Sequence, residues 1–170
     1  MPVLREGNIE IQLPSGVHGE KFDGPQHGLS HCMKAVDFVV DAPDQTILIE
    51  IKDPEHPRAD PRQRKRYLAG LRKGSKDEDF VRKYRDSFLY LWAEKRIANK
   101  PVHYYVLITS SQLDEALDEA LLLAMTEALK RKLPIEGLPA SWKRKIADAC
   151  AVFNIKSWNA HLPQYPVRRI

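Results

Sequence analysis

Asp37, Glu50 and Lys52 stand out in KAVDFVVDAPDQTILIEIKDPE, residues 34–55, because each is charged yet lies in or beside an apolar, β-branched run. A buried carboxylate or ammonium without a partner costs several kcal/mol, so these groups must be compensated by solvent, by one another or by a bound ion. Side chains two apart on a strand share a face. Glu50 and Lys52 therefore point one way, while Ile47, Ile49 and Ile51 point the other way, to core. Asp37 joins the charged face if a hairpin pairs residue 37 with 50 or with 48, which requires a four-residue loop, APDQ or DAPD. A slip by one residue would send Asp37 to the opposite layer. In either allowed register two carboxylates and an ammonium converge on one edge of a sheet, and the carboxylates repel unless a cation sits between them. Hard oxygen donors of this kind suit Mg²⁺ or Mn²⁺. Phosphodiester hydrolysis needs such a cation and a positive group near the developing charge, and the three residues supply that set.

The elements that must hold these residues follow from periodicity and punctuation. Ile9, Ile11 and Leu13 alternate with polar residues and predict a strand closed by Pro14, Ser15 and Gly16. Residues 17–32 are glycine-rich, with room for a short second strand and a loop. MKAVDFVV and TILIEIK form two strands joined by DAPDQ. Asp60 before Pro61 predicts an N-cap and a helix from Pro61 to Lys73 that stops at Gly74. Ser75 with Glu78 reads as a capping box for a second helix, whose Phe80, Tyr84, Phe88, Leu91 and Trp92 recur at helical spacing as core. VHYYVLIT, 102–109, reads as a buried strand reached by a crossover. The segment 110–132 predicts a long helix with an apolar face through Leu113, Ala116, Leu117, Ala120, Leu121, Ala124 and Ala128. A helix over 141–150, a short AVFNI strand and a proline-bounded tail complete the chain. This order predicts an α/β or α+β fold with a mixed central sheet flanked by helices.

The chain has 170 residues, 43% of them hydrophobic and 29% charged, which fits a single globular domain over 1–170. Cys32 and Cys150 lie far apart without metal-ligand spacing. With no apolar run behind a basic start in MPVLREGNIE, and no stretch near the roughly 20 apolar residues of a membrane span, they predict a reduced, cytoplasmic setting and no membrane partner. The net charge is +4. Arg62, Arg64, Lys65 and Arg66, followed by Arg72 and Lys73, concentrate positive charge directly after the acidic strand, as a phosphate-backbone contact would require.

An acid, a hairpin, then acid-x-Lys at the end of an apolar strand resembles the PD-(D/E)XK nuclease superfamily, the restriction endonuclease-like fold. The matching residues are Asp37 in AVDFVV and Glu50 with Lys52 in ILIEIKD. The resemblance implies that Asp37, Glu50 and the Ile51 carbonyl hold the metal and that Lys52 orients or helps activate the attacking water. It also implies a core of helix, three strands, helix and strand over about 9–109, with C-terminal helices and tail in 110–170. Gln63 and Tyr67 in QRKRY look like the Q-x-x-x-Y element of the RecB-type branch, adding to Arg62, Arg64, Lys65 and Arg66 as nucleic-acid contacts. One element departs from the family's pattern: its first helix often carries a Glu, whereas the segment before Asp37 reads as strand and glycine-rich loop, with Glu10 and Glu20 as the candidates.

His18, Glu20, His31 and His56 are auxiliary candidates for the cleft. His27, His31 and Cys32 would begin a zinc site, but no fourth ligand at regular spacing follows. Three classes of function fit this pattern. They are a Mg²⁺- or Mn²⁺-dependent nuclease on DNA, with RNA left open; a catalytically silent nucleic-acid-binding module; and an interaction protein that pairs as a homodimer or with an accessory partner.

Overall fold

The computed structural model describes residues 2–56, 58–97, 99–110 and 116–170, without the side chains of residues 116 and 117. In chain order the elements are β1 (Val3–Glu6), β2 (Ile9–Gln12), β3 (His18–Lys21), a 3₁₀ turn at Pro25–His27, β4 (Phe38–Asp41), β5 (Thr46–Lys52), α1 (Pro61–Arg72), α2 (Asp77–Ala93), β6 (Val102–Ile108), α3 (Ala116–Lys132), β7 (Ala149–Phe153), α4 (Ile155–His161) and β8 (Val167–Arg169). A five-stranded sheet runs β3-β4-β5-β6-β7, and a three-stranded sheet runs β1-β2-β8. The fold is α+β with a mixed central sheet: β3, β4 and β5 pair antiparallel, whereas β5, β6 and β7 pair parallel. Parallel pairing of β5 with β6 requires a crossover, and α1 and α2 provide it.

Both faces of the central sheet are covered. Phe38, Val40, Ile47, Ile49, Ile51 and Leu107 pack with Ile9, Ile11 and Trp158 of the small sheet and α4. Val39, Leu48, Tyr104 and Val106 pack with Leu71, Phe80, Val81 and Tyr84 of the helices, together with Met125 and Leu129 of α3. Strands buried on both faces are near-continuous apolar runs, which is how β5 and β6 read. The isoleucines of β5 therefore go to core as expected, but the face that carries Glu50 is a second core rather than a solvated surface.

Several local expectations are met for the expected reasons. The β4–β5 loop is APDQ, closed by Ala42 N–H donating to the Gln45 carbonyl at 3.0 Å. Asp60 caps α1 by accepting from Arg62 N–H at 2.8 Å. The chain leaves α1 through Gly74 at φ 70°, a left-handed turn that favours glycine.

Others are corrected. Ser75 is not a capping box for α2, which starts at Asp77 without a side-chain cap; the Ser75 hydroxyl instead donates to the Gly70 carbonyl at 3.1 Å, closing the end of α1. Trp92 is 61% exposed, one position beyond the stripe on which Phe80, Tyr84 and Leu91 are buried. Among the described apolar residues of α3, Leu122, Met125, Leu129 and, just past the helix, Leu133 are buried, whereas Ala120 and Ala124 are exposed. Leucine and methionine bury more area than alanine, so the helix rolls to put them inward. Leu113 and the side chains of Ala116 and Leu117 lie outside the described residues. No helix forms over 141–150. Trp142 is exposed, Ala147 packs into the core, and Cys150 joins β7 opposite Tyr104. The tail is also a strand: β8 pairs with β2, Ile9 opposite Arg169 and Ile11 opposite Val167. Before Asp37, the described residues hold a hairpin, β3 and a 3₁₀ turn in place of the first helix that the resemblance implied.

No helix among the described residues is long and apolar enough to cross a membrane.

Candidate active site

The β4–β5 register pairs Phe38 with Ile49 and Asp41 with Thr46. Continued by one residue, it sets Asp37 opposite Glu50, one of the two registers that join the charges. Asp37 is held on both sides. Its carbonyl accepts from Phe22 N–H at 2.7 Å, extending the β3 ladder, and its Oδ2 accepts from Ile51 N–H at 2.6 Å. The preceding segment is fastened to α2, where Ser87 Oγ accepts from Val36 N–H at 2.9 Å and Asp86 Oδ2 from Lys34 N–H at 2.8 Å.

Glu50 is fully buried. Its Oε1 receives two ammonium groups, Lys52 Nζ at 2.6 Å and Lys83 Nζ at 2.6 Å, while Oε2 is buried with no hydrogen-bond partner. Asp37 is 6% exposed, and burial first, then the charge of Glu50, pushes its carboxyl up to about 7. The Ile51 amide and the two lysines oppose that rise without cancelling it. Burial works against the Lys52 ammonium, but the Glu50 carboxylate outweighs it and raises the lysine above its ordinary value. Backbone N–H and C=O of one strand residue point to the same side, so the Ile51 carbonyl faces the Asp37 side, while the next carbonyl, Lys52, accepts from Thr109 N–H at 2.9 Å on the β6 side. Two carboxylates and a carbonyl thus meet where the strand ends. They fit a hard divalent cation because the buried Oε2 is an acceptor that nothing else satisfies. Among the described residues, no group of three or more His, Cys, Asp or Glu side chains gathers to hold a metal.

A cleft of about 390 Å³ opens from this point along α1, lined by Lys52, Asp53, Gln63, Arg64, Arg66, Tyr67 and Lys76 among others. Four of the six residues expected to touch nucleic acid therefore line it. Arg62 is exposed on the first turn of α1 and Lys65 lines a groove on the other side of that helix, apart from the cleft. Arg64 Nε donates to the Pro54 carbonyl at 2.9 Å, tying α1 to the end of the motif strand. Tyr67 Oη is buried and unpartnered, burial chiefly raises its pKa, and the Lys76 ammonium stands 5.4 Å from the centre of its ring. Asp53, at the mouth, is held by Arg169 through two contacts of 3.0 Å and by the Thr109 hydroxyl at 2.8 Å.

The auxiliary candidates lie elsewhere. His18 pairs with Asp41, at the far end of β4 from Asp37. Glu20 pairs with Arg96, beyond the end of α2 away from Lys83. Glu10 is buried between Arg5 and Arg168, which take its two oxygens. His31 is exposed, and His56 Nδ1 accepts from Arg58 N–H at 3.2 Å while its ring packs beside Gly7. The suggested zinc set does not form: His27 is buried against Tyr90, its ring 4.3 Å away, whereas His31 and Cys32 are exposed.

Lys83 and Lys76 are the site residues that sequence reasoning missed. Lys83 had a signal, since it falls on the stripe of Phe80, Tyr84 and Ser87, where an ammonium is out of place; Lys76 had none beyond its charge. Set against protein-family models, curated proteins and solved structures, the chain has no match.

Proposed function

We propose that this protein is a divalent-metal-dependent phosphodiesterase that cleaves DNA, a nuclease built in the manner of the PD-(D/E)XK superfamily. The observation that carries this reading is the buried, unpartnered Oε2 of Glu50 beside Asp37, at the end of a strand whose next outward side chain is Lys52.

In this reading Asp37, Glu50 and the Ile51 carbonyl would hold Mg²⁺ or Mn²⁺. The bound ion would polarise the phosphoryl oxygen and lower the pKa of water. Lys52, 27% exposed at the cleft and anchored on Glu50, orients the attacking water and stabilises charge as water attacks phosphorus and the bond to the leaving oxygen breaks. Arg64, Arg66 and Lys76 offer donors to flanking phosphates, and Gln63 lies beside them on the exposed face of α1.

One observation favours a second reading. Lys52 and Lys83 already neutralise Glu50 from within, as a silent nucleic-acid-binding module would allow.

Labelled single-stranded, double-stranded and branched DNA, with RNA as a further arm, incubated with Mg²⁺ or Mn²⁺ and either wild type or Lys52→Ala, tests both. Metal-dependent products that fall by about 10²- to 10³-fold in the variant support the nuclease. Salt-sensitive binding without products moves the protein to the silent module. Neither cleavage nor binding leaves a protein-interaction role.

A further inference from the structure

Lys83 is a largely buried charge of the site that the hydrolytic reading leaves without a task. It projects from α2, with only 15% of its side chain exposed, and shares Glu50 Oε1 with Lys52 at the same 2.6 Å. The two carboxylates have four oxygens. Glu50 Oε1 receives both ammonium groups and Asp37 Oδ2 receives the Ile51 amide, which leaves Glu50 Oε2 and Asp37 Oδ1. With the Ile51 carbonyl, these are the acceptors that would hold one divalent ion. A pair of ions would need acceptors on both sides of a shared carboxylate, and on one side the acceptor is already taken by ammonium.

Resting on the metal-dependent reading, we infer that Lys83 is a positioning residue whose ammonium takes the place of a second cation, so that the site holds a single divalent ion. The ammonium ties down Oε1, leaves Oε2 as the open donor, and puts a fixed positive charge where a second ion would have to enter. Lysine suits the task as a compact charge on a long stem. The consequence is opposite in sign to a scaffolding role. Removing Lys83 leaves Lys52 as the one ammonium on Oε1 and takes away a repelling charge, so a divalent ion binds more tightly, by about tenfold or more.

Titration with Mn²⁺, followed by electron paramagnetic resonance of the free ion and with no nucleic acid present, tests this on the full chain. The variants are Lys83→Met, which keeps the length and apolar stem, and Lys83→Arg, which keeps the charge. The expected result is one ion per chain for wild type and Lys83→Arg, and about tenfold tighter binding for Lys83→Met. Two ions in wild type overturn the inference, and that arm stands even if Lys83→Met fails to fold. Unchanged or weaker binding by a cooperatively folded Lys83→Met also overturns it, while the metal-dependent reading survives. Absence of Mn²⁺ binding by wild type sinks the metal-dependent reading, and this inference with it.

Discussion

Asp37 and Glu50 are both buried carboxylates, and they differ in how they are compensated. Glu50 has two ammonium groups on one oxygen, whereas for Asp37 burial, and then the charge of Glu50, outweigh its single backbone amide and push its carboxyl up to about 7. In the metal-free chain this has a definite sign. Between about pH 4 and pH 7 folded Asp37 keeps a proton that the unfolded chain has released, so stability falls as pH rises through that window, by up to about 1.4 kcal/mol per unit, and levels off above it. Urea unfolding of chelator-treated protein should therefore show wild type losing about 2–3 kcal/mol more than Asp37→Asn between pH 5 and pH 8. Identical pH profiles for the two proteins would mean that Asp37 does not carry the buried proton. At this scale the sequence was informative about the charges and their alternation on the strand, because both are local. It was uninformative about burial: the spacing of Glu50 and Lys52 is the same on a wet face as under a helix.

At the scale of elements, α1 is basic on more than one side, and only one side borders the cleft. Arg66 and Lys76 line the cleft with Lys52, while Lys65 lines the opposite groove. If phosphate enters the cleft, Arg66→Ala should weaken DNA binding and reduce the slope of log affinity against log salt by about 1, with Lys65→Ala changing it much less. Equal slopes for the two variants in a fluorescence-anisotropy titration would show that the basic helix acts as a diffuse surface and not through this cleft. The start and stop of α1 were legible in Asp60, Pro61 and Gly74, since caps act within one turn. The rotation of α1 and α3 about their axes was less so. In α3, Leu122, Met125 and Leu129 outcompete an alanine face that has equally good helical spacing, and which face wins is settled by the partner it packs on.

At the scale of the molecule, the tail returns to the start of the chain. Strand β8 lies against β2, Arg169 reaches Asp53 at the mouth of the cleft, and Trp158 of α4 is buried among Tyr105, Phe153 and Tyr165, with Nε1 donating to the Tyr165 carbonyl at 2.6 Å. Trp158→Ala should cost about 3–5 kcal/mol by cavity formation, read as a drop in the thermal midpoint. Because this core backs the isoleucine face of β5, the loss should extend to the site: if the proposed ion binds there, Mn²⁺ affinity should weaken although neither Asp37 nor Glu50 is changed. A variant that unfolds at the wild-type temperature would mean that α4 and β8 are dispensable to the sheet.

What the sequence determined by itself was local: the two motif strands and their faces, the capped basic helix, and the two hairpin registers that would bring Asp37 to Glu50 and Lys52. These follow from alternation, capping and turn chemistry, which act over a few residues. Only the tertiary structure decided that the charged face is covered, that Lys83 arrives from α2 to share Glu50, that the auxiliary histidines lie outside the cleft, and that β8 closes onto β2. Those contacts join residues 33 positions apart for Lys83 and Glu50 and 158 apart for Arg168 and Glu10, distances over which no periodic pattern in the chain specifies a partner.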